Sequence, residues 1–230
     1  MIRLVAIDTS TWWGGLALVE GGEAFPEART VAEAGLLVRD SHAAHLLPLL
    51  ERLLEEAGWP VASVDAFAAT RGPGSFTGIR VGLGTVRGLG LASARPCVGV
   101  GTLQAMAEAF GPAEGDRVPL LPAGRGEVFG ARYDPASSPP VELVAPWLGP
   151  AARALEGIPA GAEPVVFGAG ADAAALAAAG LRGVVRRPPA SVAAAAGRLA
   201  LARLAEGARD GDGLAPSYLR PPDAELGGAR

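Results

Sequence analysis

Several short segments of this 230-residue chain carry residue types and spacings that could do chemistry. Asp8-Thr9-Ser10-Thr11 sets a carboxylate beside three hydroxyls, a group able to hold a metal-phosphate or simply to close a polar hairpin turn. Gly72-Pro73-Gly74-Ser75-Phe76-Thr77-Gly78 precedes a helix-forming run. Such a loop can cradle an anion, because free backbone N–H groups and the helix dipole point at it. His42 and His45 share one helix face and could begin a zinc site. Phe167-Gly168-Ala169-Gly170-Ala171 is a short loop of low specificity that a nucleotide could touch.

Composition bounds that chemistry. All 20 basic residues are Arg, so no Walker A lysine, Schiff-base lysine or lysine base exists. Glycines at 72, 74 and 78 miss the dinucleotide fingerprint by one residue, and Pro73 breaks the G-x-S-x-G frame around Ser75. Spacing alone therefore favours a turn that packs strand against helix, and Asp8, Thr9, Ser10, Gly72, Gly74 and Ser75 stand as candidate cofactor contacts. No third His, no ligand Cys and no H-E-x-x-H accompanies the two histidines, so no metal is expected. Cys97 is single, which excludes an internal disulfide. A net charge of −4 argues against a stand-alone nucleic-acid binder. No apolar stretch reaches membrane length, and a cytoplasmic protein without membrane contact is expected.

These residues need elements to position them. Leu4–Ile7 and Gly15–Val19 read as strands, with a weaker third strand between Glu23 and Val31. Ser41–Ala57 is a helix on the spacing of Leu46, Leu49, Leu50, Leu53 and Leu54, capped by Asp40 or Ser41 and ended by Gly58. Pro48 inside it predicts a kink or a detached first turn. A strand at Ala66–Thr70, a helix at Thr77–Ala92, a strand at Cys97–Val100 and a helix capped by Thr102 follow. The order then begins again with strands at Val118–Leu121, Glu127–Tyr133 and Val141–Val144. A helix from Ala151, a strand at Pro164–Phe167 and helices at Asp172–Ala179 and Ser191–Ala205 complete it. The repeated order predicts two mixed α/β lobes, residues 1–101 and 102–230.

The second helix contains Gly78, Gly82, Gly84, Gly88 and Gly90. Each interior glycine costs about 1 kcal/mol of helix propensity relative to Ala. Close approach of another backbone would offset that cost. That approach is either internal packing or a subunit interface. With the leucine stripe of the first helix, the pair could form a face too apolar for one monomer to cover, and His42, Leu46, Leu50, Leu53, Leu54, Arg80, Gly82, Gly84 and Gly88 stand as its candidate partner-interface residues.

Ala6-Ile7-Asp8-Thr9-Ser10-Thr11, His42 with Leu46-Leu47-Pro48, the run Gly72 to Gly82, and Pro216-Ser217-Tyr218-Leu219-Arg220 together resemble the TsaB (YeaZ) family. The resemblance spans nearly the whole chain, and the GPGSFTG-I-R-V-G segment is its specific part. It implies the actin/Hsp70/sugar-kinase (ASKHA) fold, with a βββαβα-type core in each lobe. It implies a non-catalytic scaffold for the TsaD threonylcarbamoyl transferase. The product would be threonylcarbamoyladenosine at position 37 of tRNAs reading codons that begin with A. A TsaE-like ATPase would be a third partner, self-association as a homodimer would use the same helices, and tRNA would be met only through the complex. No cofactor is implied on the isolated chain, with ATP assigned to the complex interface.

Pro122 and Gly124 stand where relatives often carry Asp and Arg, which removes any ligand role resting on that acid. Alternative readings are an active nucleotide-dependent phosphotransferase of the same fold and a glycoprotease-like metallopeptidase. The first lacks a convincing base and the second lacks ligands.

Overall fold

The computed structural model describes residues 1–22, 28–37, 42–158, 164–169, 171–180, 191–210 and 214–219. The first sheet contains β1 (Ile2–Asp8), β2 (Trp13–Gly21), β3 (Arg29–Leu37), β4 (Ala66–Thr70) and β5 (Cys97–Val100), in the order β3-β2-β1-β4-β5. β1 is antiparallel to β2 and parallel to β4, and β4 is parallel to β5. The second sheet contains β6 (Arg117–Gly124), β7 (Glu127–Tyr133), β8 (Glu142–Gly149) and β9 (Val165–Phe167), in the order β8-β7-β6-β9. The helices are α1 (His42–Glu56), α2 (Phe76–Ser93), α3 (Thr102–Phe110), α4 (Ala173–Ala178) and α5 (Ala193–Ala205).

β1 is apolar on both faces because both faces are covered. Val5 and Ile7 join Leu46, Leu50, Leu53, Leu54, Ile79, Leu83 and Val86 of α1 and α2 in one core. Leu4 and Ala6 face the other way, into a core shared with α3, α5 and the inner face of the second sheet. A third core, with Val118, Leu120 and Trp147, lies on that sheet's outer face. α5 follows the boundary at 101 in sequence, yet it packs on the first sheet. Gly197 stands where an added Cβ would lie 2.6 Å from Val19 Cγ2 and 3.2 Å from Ala6 Cβ. The run Ala193–Ala196 is buried beside it, so small residues let this helix fit between the sheets.

Several elements differ from the reading of the sequence. β3 runs from Arg29 to Leu37, later than expected; as an edge strand it is half-solvated and lacks apolar alternation, and the expected positions 23–27 lie outside the described residues. α1 continues through Pro48, which lies on the exposed side with Ala44, where water can take the carbonyl that proline leaves. The caps proposed at Asp40 and Ser41 lie outside the described residues, while Gly58 ends the helix with φ +66°. Thr102 is no cap: Gly101 holds that position, and Thr102 Oγ1 is buried without a partner. The helix expected from Ala151 is a single 3-10 segment, Ala151–Leu155.

The fully buried Arg117 ties the second sheet to α3. Its Nε donates to Asp134 O (2.8 Å), Nη1 to the carbonyls of Ala107 and Gly111, and Nη2 to Ser137 O (2.6 Å). Burying this charge is tolerated because its donors meet acceptors. No helix among the described residues is long and apolar enough to cross a membrane.

Candidate functional site

Three of the segments that carry the resemblance, those around Asp8, Gly72–Gly78 and Ser217, meet at the C-terminal ends of β1 and β4. Asp8, Thr9 and Ser10 are buried at the end of β1. Asp8 Oδ1 accepts from Ser10 N (3.0 Å), Ser10 Oγ (2.6 Å) and Thr70 Oγ1 (2.8 Å). Thr9 Oγ1 donates to Gly78 O at 2.7 Å. These hydroxyls and this carboxylate oxygen are thus engaged with the chain itself.

The glycine loop folds over that turn. Ser75 N donates to Ser10 O (2.7 Å), and Ser75 Oγ accepts from Gly78 N (3.2 Å) as the N-cap of α2. A Cβ at Gly74 would strike Ser10 O, and one at Gly78 would strike Thr9 O. At Gly72 it would lie 2.6 Å from Ser217 O, and Gly72 also has φ +114°. The loop that could have cradled an anion is packed against the chain's own carbonyl oxygens. The six residues offered as cofactor contacts do come together, but as a packed strand–turn–helix junction.

Ser217 belongs to a C-terminal strap. Ser217 N donates to Arg71 O at 2.7 Å, and Leu214 is buried over Gly99 of β5. Tyr218 stacks on Phe76, with ring centroids 4.9 Å apart, and its hydroxyl accepts from Arg80 Nε at 2.8 Å. The Arg80 guanidinium lies 3.8 Å from the Phe76 centroid. Sequence reasoning missed Thr70, Phe76 and this use of Tyr218. Thr70 and Asp8 are 62 residues apart, and Arg80 and Tyr218 are 138 apart, so no local pattern joins them.

The residues expected to face a partner divide into two groups. Leu46, Leu50, Leu53 and Leu54 are at most 5% exposed and fill the chain's own core, which corrects their reading as surface contacts. Gly82 is corrected likewise, because its Cβ would strike Thr9 Oγ1. Gly84 and Gly88 have open space above them, and Arg80 is exposed. The His42 side chain lies outside the described residues. The exposed surface of the helix pair instead includes Leu47, Pro48, Glu51, Arg52, Glu55 and Glu56 of α1 and Arg80, Gly84, Arg87, Gly88 and Leu91 of α2. Burial pushes the Cys97 thiol up, as its Sγ packs within the fold, 3.3 Å from Val86 O.

The family model described as TsaD, tRNA N6-adenosine threonylcarbamoyltransferase, matches residues 36–227. The chain is 36% identical over 134 residues to the tRNA threonylcarbamoyladenosine biosynthesis protein TsaB of Escherichia coli K12, covering 57% of this chain and 55% of that one. It is 37% identical over 108 residues to TsaB of Haemophilus influenzae, covering 47% and 43%. These alignments span about half the length of the curated relatives. The structure of YeaZ from Pseudomonas aeruginosa superposes with a TM-score of 0.77 at 29% identity, over 95% of this chain and 100% of that one. The activator of 2-hydroxyisocaproyl-CoA dehydratase from Clostridium difficile, solved with bound ADPNP, has a TM-score of 0.51 at 10% identity over 90% of this chain and 96% of that one, and shows the shared ASKHA fold alone. With the family model matching most of the chain and the YeaZ structure superposing along nearly all of it, the chain belongs to the TsaB (YeaZ) family, within the broader group that the TsaD model describes.

Proposed function

We propose that this chain is a non-catalytic partner of a TsaD-like threonylcarbamoyl transferase. It serves formation of threonylcarbamoyladenosine at position 37 of tRNAs reading codons that begin with A. A TsaE-like ATPase is the third component, tRNA is met through the complex, and the cytoplasm is the site of action. The exposed surface of α1 and α2 is the docking face, used for the transferase or for a second copy of the chain.

One observation carries the non-catalytic part. Asp8 Oδ1 accepts from Ser10 and Thr70, Ser75 N donates to Ser10 O and Gly78 N to Ser75 Oγ, and the backbone of the glycine loop lies close against the carbonyls of Thr9, Ser10 and Ser217. An active phosphotransferase needs that carboxylate and those N–H groups directed at phosphate and metal. The test is reconstitution with purified transferase, ATPase, threonylcarbamoyl donor and tRNA. Omission of this chain is expected to abolish modification, and Asp8→Ala, if folded, to leave nucleotide turnover by the chain at background. Modification that proceeds without the chain overturns the partner role. ATP turnover of about 1 s⁻¹ that Asp8→Ala removes establishes the phosphotransferase instead.

A further inference from the structure

Arg80 is an exposed cation on the docking face, and its side chain is held on two sides. The Phe76 ring lies under the guanidinium, 3.8 Å from centroid to Cζ, and Tyr218 Oη accepts from Nε at 2.8 Å. Tyr218 is itself fixed by its stack on Phe76 and by Ser217 N, which donates to Arg71 O. A free arginine loses rotamer entropy when it engages a ligand. One already clamped loses less, so its remaining donors bind more strongly.

The surroundings indicate the ligand. α2 carries Arg80 and Arg87 and no acidic residue. The two lie seven residues apart on the exposed side, about 10 Å along the axis. Between them Gly84 has open space. An open glycine one turn from a cation allows another protein backbone to come close while its acid reaches the guanidinium. A phosphate backbone needs no such approach, and a chain of net charge −4 does not favour RNA.

We propose that Arg80 is a pre-positioned carboxylate-binding contact for an acidic side chain on the transferase partner, with Phe76 and Tyr218 as its positioning residues. This rests on the partner reading above and adds its chemistry. The C-terminal strap thereby acts at the docking face as well as at the glycine loop. A planar guanidinium meets a carboxylate with two parallel bonds, which the ammonium of lysine does not reproduce.

The experiment measures the dissociation constant of the full-length chain for the TsaD-like transferase at low and moderate salt, with circular dichroism melts on each variant. Arg80→Ala is expected to weaken binding about tenfold or more and to flatten its salt dependence. Arg80→Lys should not restore the affinity. Tyr218→Phe keeps the stack but removes the acceptor, and should weaken binding by about twofold to fivefold with the melt unchanged. A folded Arg80→Ala with wild-type affinity and salt slope overturns the proposal while leaving the partner role intact. Failure of the wild-type chain to bind overturns both. Loss of self-association alone makes a second copy the occupant, and Arg80-dependent binding of tRNA alone makes it phosphate; either result overturns the carboxylate. Should Arg80→Ala fail to fold, Arg80→Lys and Tyr218→Phe decide: wild-type affinity in both overturns the proposal.

Discussion

Glycine at position 82 and glycine at position 84 occupy the same helix and differ in what lies above them. A methyl group at 82 meets Thr9 Oγ1, which is already donating to Gly78 O. Gly82→Ala must break that bond or shift α2 from β1, and is expected to destabilise the fold by about 1–3 kcal/mol. Nothing lies within 4 Å of a methyl group at 84 or 88, so Gly84→Ala and Gly88→Ala should each stabilise the isolated chain by up to about 1 kcal/mol. Urea denaturation of the three variants checks both signs, and equal effects would mean that Thr9 yields freely. A second residue-level expectation concerns acid. Asp134 Oδ1 accepts from Ala136 N (3.0 Å) and Ser137 N (2.8 Å), which hold its carboxyl below the usual range. A carboxylate depressed on folding contributes stability above its unfolded pKa of about 4, lost as pH falls through the lower folded value. Wild type should therefore lose more stability than Asp134→Asn between neutral pH and about pH 2. Parallel losses in urea melts across that range would show that the turn bonds do not discriminate the ionised form.

At the scale of elements, α5 is the most constrained piece. It lies between two sheets with Ala193–Ala196 and Gly197 buried. Gly197→Ala improves helix propensity by about 1 kcal/mol, yet its Cβ would sit 2.6 Å from Val19. Net destabilisation of about 1–3 kcal/mol is expected, read as a lower denaturation midpoint; a raised midpoint would mean that the two layers part easily. The same helix shows what a sequence can reveal. Alanine content predicted a helix over 191–205 and α5 spans Ala193–Ala205, but composition could not say which sheet it covers. Elements with strong local signals were legible: β4 and β5 match the expected bounds, and α2, at Phe76–Ser93 with Ser75 as its N-cap, extends the expected Thr77–Ala92 by one residue at each end. The edge strand β3 was misplaced because its half-solvated residues carry no period. The leucine stripe of α1 was legible as a stripe, but whether it faced a partner or the chain's own sheet depended on packing. Likewise Asp8, the glycine loop and Tyr218 were found separately. That their polar groups engage one another is a tertiary fact, set by contacts across 62 to 138 residues.

The whole molecule has two sheets but a shared interior. The sheet of residues 1–101 has two faces, and its own helices α1 and α2 cover one of them. Leu4, Ala6, Ala17, Val19, Ala66, Ala68, Val98 and Val100 form the other, and they are buried by α3, α5 and residues of β6 and β7, all beyond position 101. Without those elements this face meets water. Each residue of valine or leucine size left bare forfeits about 1.5–3 kcal/mol of burial, against a typical total stability of about 5–15 kcal/mol. Leu4, Val19, Val98 and Val100 alone approach that total, and the free strand face would favour association with other chains. A fragment of residues 1–101 is therefore expected not to fold on its own. The full chain should unfold in one cooperative transition by calorimetry, with the calorimetric and van't Hoff enthalpies in agreement. Circular dichroism and size-exclusion chromatography of the fragment provide the check. A monomeric fragment with native-like helix content and a cooperative melt would show that α1 and α2 suffice, and that the boundary near residue 101 separates independent domains rather than two parts of one core.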